Sequence, residues 1–197
     1  MQDTSGSQDQ TQREKLSPIN LKAVLVSFIF GLAALAVVAA SLTLPIPGTG
    51  VVTDPREVFT TIGAALSGPV GGLVIGILAG ILEPGGLVWA SLLAHILGGS
   101  WMGFSYKLLV HNRLGMPAML GGWAALVLGY YYMFVIPGFV IGQAFFYPGR
   151  ESVSDAPALV PAYIALAKGV VPEAVLTILV TTLIFYALPR RYRRPLW

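Results

Sequence analysis

The residues able to do chemistry in this chain are few, and most sit at the margins of apolar stretches. Asp54, Arg56, Glu57, Glu83, His95, Gln143, Lys168 and Glu173 form a polar set. Trp89, Tyr147 and Tyr163 stand near the same margins, and Tyr130, Tyr131 and Tyr132 fall deeper. A few convergent polar groups with aromatic walls are what a cavity needs to orient a small molecule. The expected substrate-binding residues are Asp54, Arg56, Glu57, Trp89, His95, Gln143, Tyr163, Lys168 and Glu173. A plainer account is that ionisable groups at helix ends satisfy the membrane interface, where Trp89 and Trp197 would also anchor. His95, one helical turn beyond Ser91, is the buried polar residue on which binding is expected to depend most.

Catalysis is not expected. No Gly-rich loop ends in Lys-Ser or Lys-Thr to cradle phosphates. Only two histidines exist, His95 and His111, and no cysteine, so a paired-histidine zinc motif, a thiolate site and a disulfide are all ruled out. Gly98-Gly99-Ser100 beside His95 could suggest an intramembrane serine hydrolase. Five residues apart on one helix, however, Ser100 and His95 point in poorly matched directions, and a small-residue packing patch explains the motif. His111 lies in a basic turn and reads as topology and headgroup contact. Neither a cofactor nor a metal is expected.

These side chains must be held by membrane helices. Only 11% of residues are charged while 55% are hydrophobic, and the mean hydropathy is +0.75, which no water-soluble domain of 197 residues shows. The fold class is an all-α integral membrane protein. Six spans of about 20 residues use roughly 120 residues and leave no room for a second folded domain. Residues 1–19, rich in Gln, Ser, Thr and Asp, read as a disordered cytoplasmic tail, 20–190 as one transmembrane domain, and 191–197 as a basic cytoplasmic end. The net charge of +3 comes from the flanks, so nucleic acid is not an expected partner.

Topology turns on Val58 to Leu82, 25 residues without a charge, interrupted by Gly68-Pro69. A bilayer core of ~30 Å takes about 20 helical residues, so the stretch is one over-long span or two short ones. Charge decides between them. A hairpin turning at Ser67-Gly68-Pro69 leaves Arg56 and Arg150 outside, with Lys168 of the outer segment, and no other basic residue. It gathers Arg13, Lys15, Lys22, Lys107, Arg113, Arg190, Arg191, Arg193 and Arg194 on the cytoplasmic side, as Lys and Arg prefer. A single crossing would export Arg113 and the terminal arginines. The expected architecture is therefore a six-helix transmembrane bundle with a short second/third helix hairpin, multi-pass in the cell membrane, both termini cytoplasmic. Its spans run at about Leu21–Leu42, Glu57–Ser67, Pro69–Leu82, Leu87–Leu109, Ala118–Val140 and Pro172–Leu188. Pro137-Gly138 should bend the fifth, and Pro157–Val171 should form an outer segment.

Two small-residue stripes stand out. Gly72, Gly76 and Gly80 line one helix face, and Ala23, Ser27 and Gly31 line another. Such stripes let backbones approach closely, either within the bundle or against a docked partner subunit.

At this point the chain resembles the substrate-binding S components of energy-coupling-factor transporters. The residues behind the resemblance are Pro45-Ile46-Pro47-Gly48, Asp54 to Glu57, and Ala64-Ala65-Leu66-Ser67-Gly68-Pro69-Val70-Gly71-Gly72 with small residues continuing to Gly80. The first-span stripe and the Pro172 start of the last span also fit, so the resemblance covers most of residues 20–190. It implies a vitamin-capturing subunit that binds substrate from outside and delivers it inward by toppling. A separate transmembrane coupling protein and two ATPases would drive that motion. By the same resemblance the first-helix stripe, here Ala23, Ser27 and Gly31, docks the coupling protein; Ser27 departs from the family's plain alanine pair. A similar Asp-x-Arg and Gly-Pro-x-x-Gly pattern occurs in membrane sensor domains of some histidine kinases, which leaves a stand-alone sensor or structural subunit as the alternative. The acidic excess on the expected outer side favours a cationic or neutral aromatic ligand.

Overall fold

A computed structural model of the chain describes residues 20–45, 52–83, 87–147 and 156–197. The expected tail 1–19 and the loop residues 46–51, 84–86 and 148–155, with Arg150, Glu151 and Asp155 among them, lie outside the described residues. Six helices carry the fold. They are α1 (Leu21–Ala39), α2 (Arg56–Gly80), α3 (Val88–Leu109), α4 (Met116–Phe146), α5 (Ala156–Gly169) and α6 (Val171–Ala187). A two-residue antiparallel ladder, β1 (Leu44–Pro45) with β2 (Val52–Thr53), joins α1 to α2. By length and composition α1, α2 and α4 can each cross a bilayer. Helices α5 and α6, bent by 45° at their junction, make a fourth such unit if counted as one broken span.

Length alone would make α2 a single crossing, but its contacts contradict that. Arg56 Nη1 donates to the Ala79 carbonyl at 3.1 Å, although the two are 23 residues apart. In a continuous helix that separation would be ~35 Å. Gly63 likewise packs against the Ile75 side chain. The chain therefore reverses at Gly68, and residues 56–67 and 69–80 run side by side. Gly68 has φ 84° and ψ −173°, a conformation that a Cβ would strain. Pro69 then opens the second arm, where its missing N–H costs nothing. This is the reversal the sequence reading places at Ser67-Gly68-Pro69.

The hairpin is the middle of the molecule, with most of its residues buried. Its second arm runs antiparallel to α3, and a Cβ added at Gly72 or Gly76 would collide with the carbonyl of Gly99 or of His95. Gly80 faces Leu92 in the same way. On the other side Gly31 of α1 meets Leu78 and Ile75, and Ser27 lies beside Gly71. Ala23 and Ser27 are buried as well. Ala23, Ser27, Gly31, Gly72, Gly76 and Gly80, the expected docking positions, are all buried in the free chain. Small residues bring helix backbones together in lipid whichever chain the partner belongs to, and here the partner is this chain's own helix. Hydroxyls in these helices bond back one turn, as Thr61 does to Glu57 O and Ser67 to Gly63 O, both at 2.6 Å. That removes unpaired donors from an apolar setting.

Helix α4 differs from expectation. It runs on to Phe146 rather than ending near Val140, and the irregularity falls before Pro137, in a π-helical turn over Tyr130–Val135. The wider turn accommodates a proline that can neither donate a hydrogen bond nor fit against the preceding carbonyl. The last helix starts as expected, with Pro172 in its first turn.

One end of the bundle is closed by the C-terminal segment. Leu196 N–H donates to Leu66 O at 2.9 Å, Asn20 Nδ2 donates to Leu196 O, and Trp197 packs under Gly68. Lys107 Nζ lies 3.7 Å from the centre of the Trp197 ring and 2.9 Å from its carbonyl. The start of α1, the reversal of α2, the end of α3 and the tail therefore share one end. Just inside it, Phe185 packs edge to face on Tyr106 and on Trp123, whose centre is 4.9 Å away, and Tyr106 and Trp123 meet at a tilt.

Candidate functional site

At the other end of the hairpin, polar side chains from five stretches of chain meet. Arg56 and Glu57 occupy the first turn of α2, two residues after Asp54, whose Oδ1 accepts the Arg56 backbone N–H at 2.8 Å. Because the hairpin doubles back, Glu83, just past the second arm, returns to Arg56: Nη1 lies 2.9 Å from Glu83 Oε2. Arg56 Nε is 3.1 Å from Asp54 Oδ2, an ion pair whose angle makes no hydrogen bond. Burial pushes the Asp54 carboxyl above its ordinary range, against the opposing pull of Arg56.

A second strand of the network runs through α3. Ser91 Oγ donates to Glu83 Oε2 at 2.9 Å and lies 3.1 Å from His95 Nδ1. The Ser91 carbonyl sits 2.8 Å from the same nitrogen. A carbonyl only accepts, so Nδ1 carries a proton and donates to it. His95 Nε2 is 3.0 Å from Glu57 Oε1, and a further proton lies between them. Glu57 Oε2 accepts from the Tyr130 hydroxyl. The result is one connected path, Asp54–Arg56–Glu83–Ser91–His95–Glu57–Tyr130, with Glu57 and His95 both buried.

The π turn of α4 supplies two consecutive tyrosines to this region. Tyr130 reaches Glu57, while Tyr131 donates to Glu173 Oε1 at 3.2 Å. Their rings meet edge to face, 5.0 Å apart. Glu173 stands in the first turn of α6, where a helix end favours negative charge. Between these groups lies a cavity of about 150 Å³, lined by Arg56, Glu57, Glu83, His95, Tyr131 and Glu173 and walled on its apolar side by Phe139 and Val170, among others. Four carboxylates thus stand around one guanidinium and one imidazole. Among the described residues no three of them come together as a metal-ligand set.

The structure brings together Asp54, Arg56, Glu57, His95 and Glu173 from the expected set and leaves the other four away from the cavity. Trp89 is 60% exposed and packs near Phe146, its backbone N–H donating to the Tyr147 hydroxyl at 3.3 Å. It stands on the outer face of α3, as an interface residue would. Lys168 is exposed near the end of α5, and Gln143 is half-buried without lining the cavity. Tyr163 donates to Tyr132 O at 3.0 Å, and Tyr132 in turn donates to Ala167 O at 3.0 Å, so both tie α5 to α4 instead of forming a wall. The hub role of Glu83 and the Glu57 bond to Tyr130 were not anticipated. The readable signal was three consecutive tyrosines inside an apolar span, since hydroxyls at that depth need partners within the protein.

Comparison with protein-family models, with curated proteins and with solved structures gives no match.

Proposed function

We propose that this protein is the solute-capturing membrane subunit of an importer of the energy-coupling-factor type, taking a small organic cation into the Glu57–Glu173 cavity. The observation that carries the reading is the acidic, partly apolar cavity at the end of the bundle opposite the basic one. Carboxylates outnumber cations there, and Tyr131 and Phe139 line it with aromatic rings, to which cations are attracted. At about 150 Å³ the cavity is smaller than the ~300–1,000 Å³ of drug-sized sites, so its solute is smaller than most vitamins. In this reading the cavity end faces the exterior and both termini the cytoplasm. A separate coupling protein and ATPases supply the energy, and they dock on the exposed apolar surfaces, not on the internal glycine stripes.

The test is native mass spectrometry of the purified protein for a retained small molecule, followed by thermal-shift screening of organic amines. Glu173→Gln should abolish any stabilisation by the best amine, because Glu173 is the carboxylate least committed to other partners. An absence of binding by every amine, with neutral or anionic solutes binding instead, would overturn the cation assignment. A second reading is a non-catalytic sensor or structural subunit. It is favoured by the way Arg56, Glu83, Ser91, His95 and Glu57 already satisfy one another. No solute bound in any screen, together with co-purification of a larger assembly lacking ATPases, would select it.

A further inference from the structure

A second cavity, of about 280 Å³, opens at the basic end between the α3–α4 turn and the segment after α6. Arg113, Arg190, Arg193 and Arg194 line it, together with His111 and Asn112. The four carboxylate side chains among the described residues, Asp54, Glu57, Glu83 and Glu173, all belong to the opposite site, so none lies here to neutralise the guanidiniums. Arg193 is held in place by its bonds to the last carbonyls of α6, Nε to Leu188 O at 2.7 Å and Nη2 to Tyr186 O at 2.8 Å. Arg113 Nε is held by Leu109 O at 3.3 Å. His111 Nδ1 is enclosed and has no hydrogen-bond partner. Guanidiniums gathered around a hollow, two of them held in place, are the pattern that binds phosphate oxygens, often two at a time.

An apolar surface adjoins the cavity. Leu114, on its lining, is 60% exposed, and Leu108, 69% exposed in the last turn of α3, lies one turn before Arg113 and His111 in the chain. A free phosphate has no use for such a rim, whereas the acyl chains of a lipid do.

We infer that this cavity is a binding site for the phosphodiester headgroup of an anionic phospholipid, with the acyl chains lying over Leu114 and Leu108. The arginines there would otherwise repel one another, so the headgroup clamps the α3–α4 turn to the segment after α6. General attraction of basic residues to an anionic leaflet would involve all surface arginines alike. The cavity instead singles out Arg190 and Arg194 from Arg191, which is absent from the lining and stacks on Tyr192 with its guanidinium 4.8 Å from the ring centre.

The experiment is native mass spectrometry of the delipidated full-length protein with added phosphatidylglycerol or phosphatidylcholine. One phosphatidylglycerol should bind in preference to phosphatidylcholine. Arg190→Gln with Arg194→Gln should weaken it by about 30-fold, while Arg191→Gln leaves it unchanged. If the double variant does not fold, Leu114→Glu, which introduces a carboxylate at an exposed position on the rim, should weaken phosphatidylglycerol binding as well. Equal binding of the two lipids overturns the inference, as does an equal loss in all arginine variants or undiminished binding in a folded double variant or in Leu114→Glu. Displacement of the lipid by inorganic phosphate or glycerol phosphate at equal concentration would assign the cavity to a free phosphate and overturn the lipid assignment.

Discussion

The His95–Glu57 contact is the most consequential pair of side chains in the molecule. Both groups are buried, and each completes the other's hydrogen bonding. Removing one partner of such a pair leaves an uncompensated charge or polar group, at a cost of about 3–5 kcal/mol. His95→Ala should therefore lower the melting temperature of the detergent-solubilised protein sharply. Glu173→Gln, which keeps an oxygen for the Tyr131 hydroxyl, should leave the melting temperature nearly unchanged. Equal melting of wild type and His95→Ala would show that the pair contributes nothing. Asp54 gives a pH signature of opposite character. Its folded-state pKa is raised, so the fold favours its protonated form. The stability from this group is full below the ordinary value of 3.8 and is lost as pH rises through the raised value. Asp54→Asn, which keeps an oxygen for the Arg56 N–H, should flatten that part of the pH–melting profile; an unchanged slope would assign it elsewhere. The sequence marked Asp54, Arg56, Glu57, His95 and Glu173 because charges beside apolar runs are conspicuous. It grouped Trp89, Gln143, Tyr163 and Lys168 with them although they stand off the cavity lining, because nearness to a span end says nothing about which way a helix face turns.

At the scale of elements, the hairpin governs what can be substituted. Gly76 lies against the His95 backbone, and neither neighbour can move aside as a flexible side chain would. Gly76→Leu should cost roughly 3 kcal/mol or more through overpacking and prevent accumulation of folded protein. Normal yield and melting of that variant would mean the α2–α3 contact is looser than described. Gly68→Ala meets two obstacles, the positive φ and the Trp197 ring, so it should destabilise even though alanine is the better helix former. The reversal was legible from the sequence because Gly-Pro breaks a helix and the charges balance only if the chain turns back. The π turn in α4 was not, since Pro137 signals a disturbance without showing on which side of it the helix will adjust. The destination of the glycine stripes was also illegible, because a spacing of four says that something packs closely and not what.

For the whole molecule, the exposed surface is apolar along the helices and charged at the ends. Leu25, Phe28, Ile29 and Leu32 of α1 and Val175, Leu179 and Leu183 of α6 all face outward, as lipid-facing positions would. The absence of cysteine makes orientation simple to measure. Leu42→Cys and Tyr192→Cys lie at opposite ends of the bundle on residues 54% and 55% exposed. An impermeant thiol reagent applied to intact cells should label the first and spare the second, and the reverse pattern would invert the proposed orientation. The doubled-back α2 also constrains how the protein is made. Neither arm is long enough to partition into lipid alone, and the Arg56 guanidinium finds Glu83 only 27 residues later in synthesis. Asp54 gives the emerging guanidinium one carboxylate at once, and Glu83 supplies the second only when the returning arm is complete, so the two arms enter the bilayer as one block instead of one at a time.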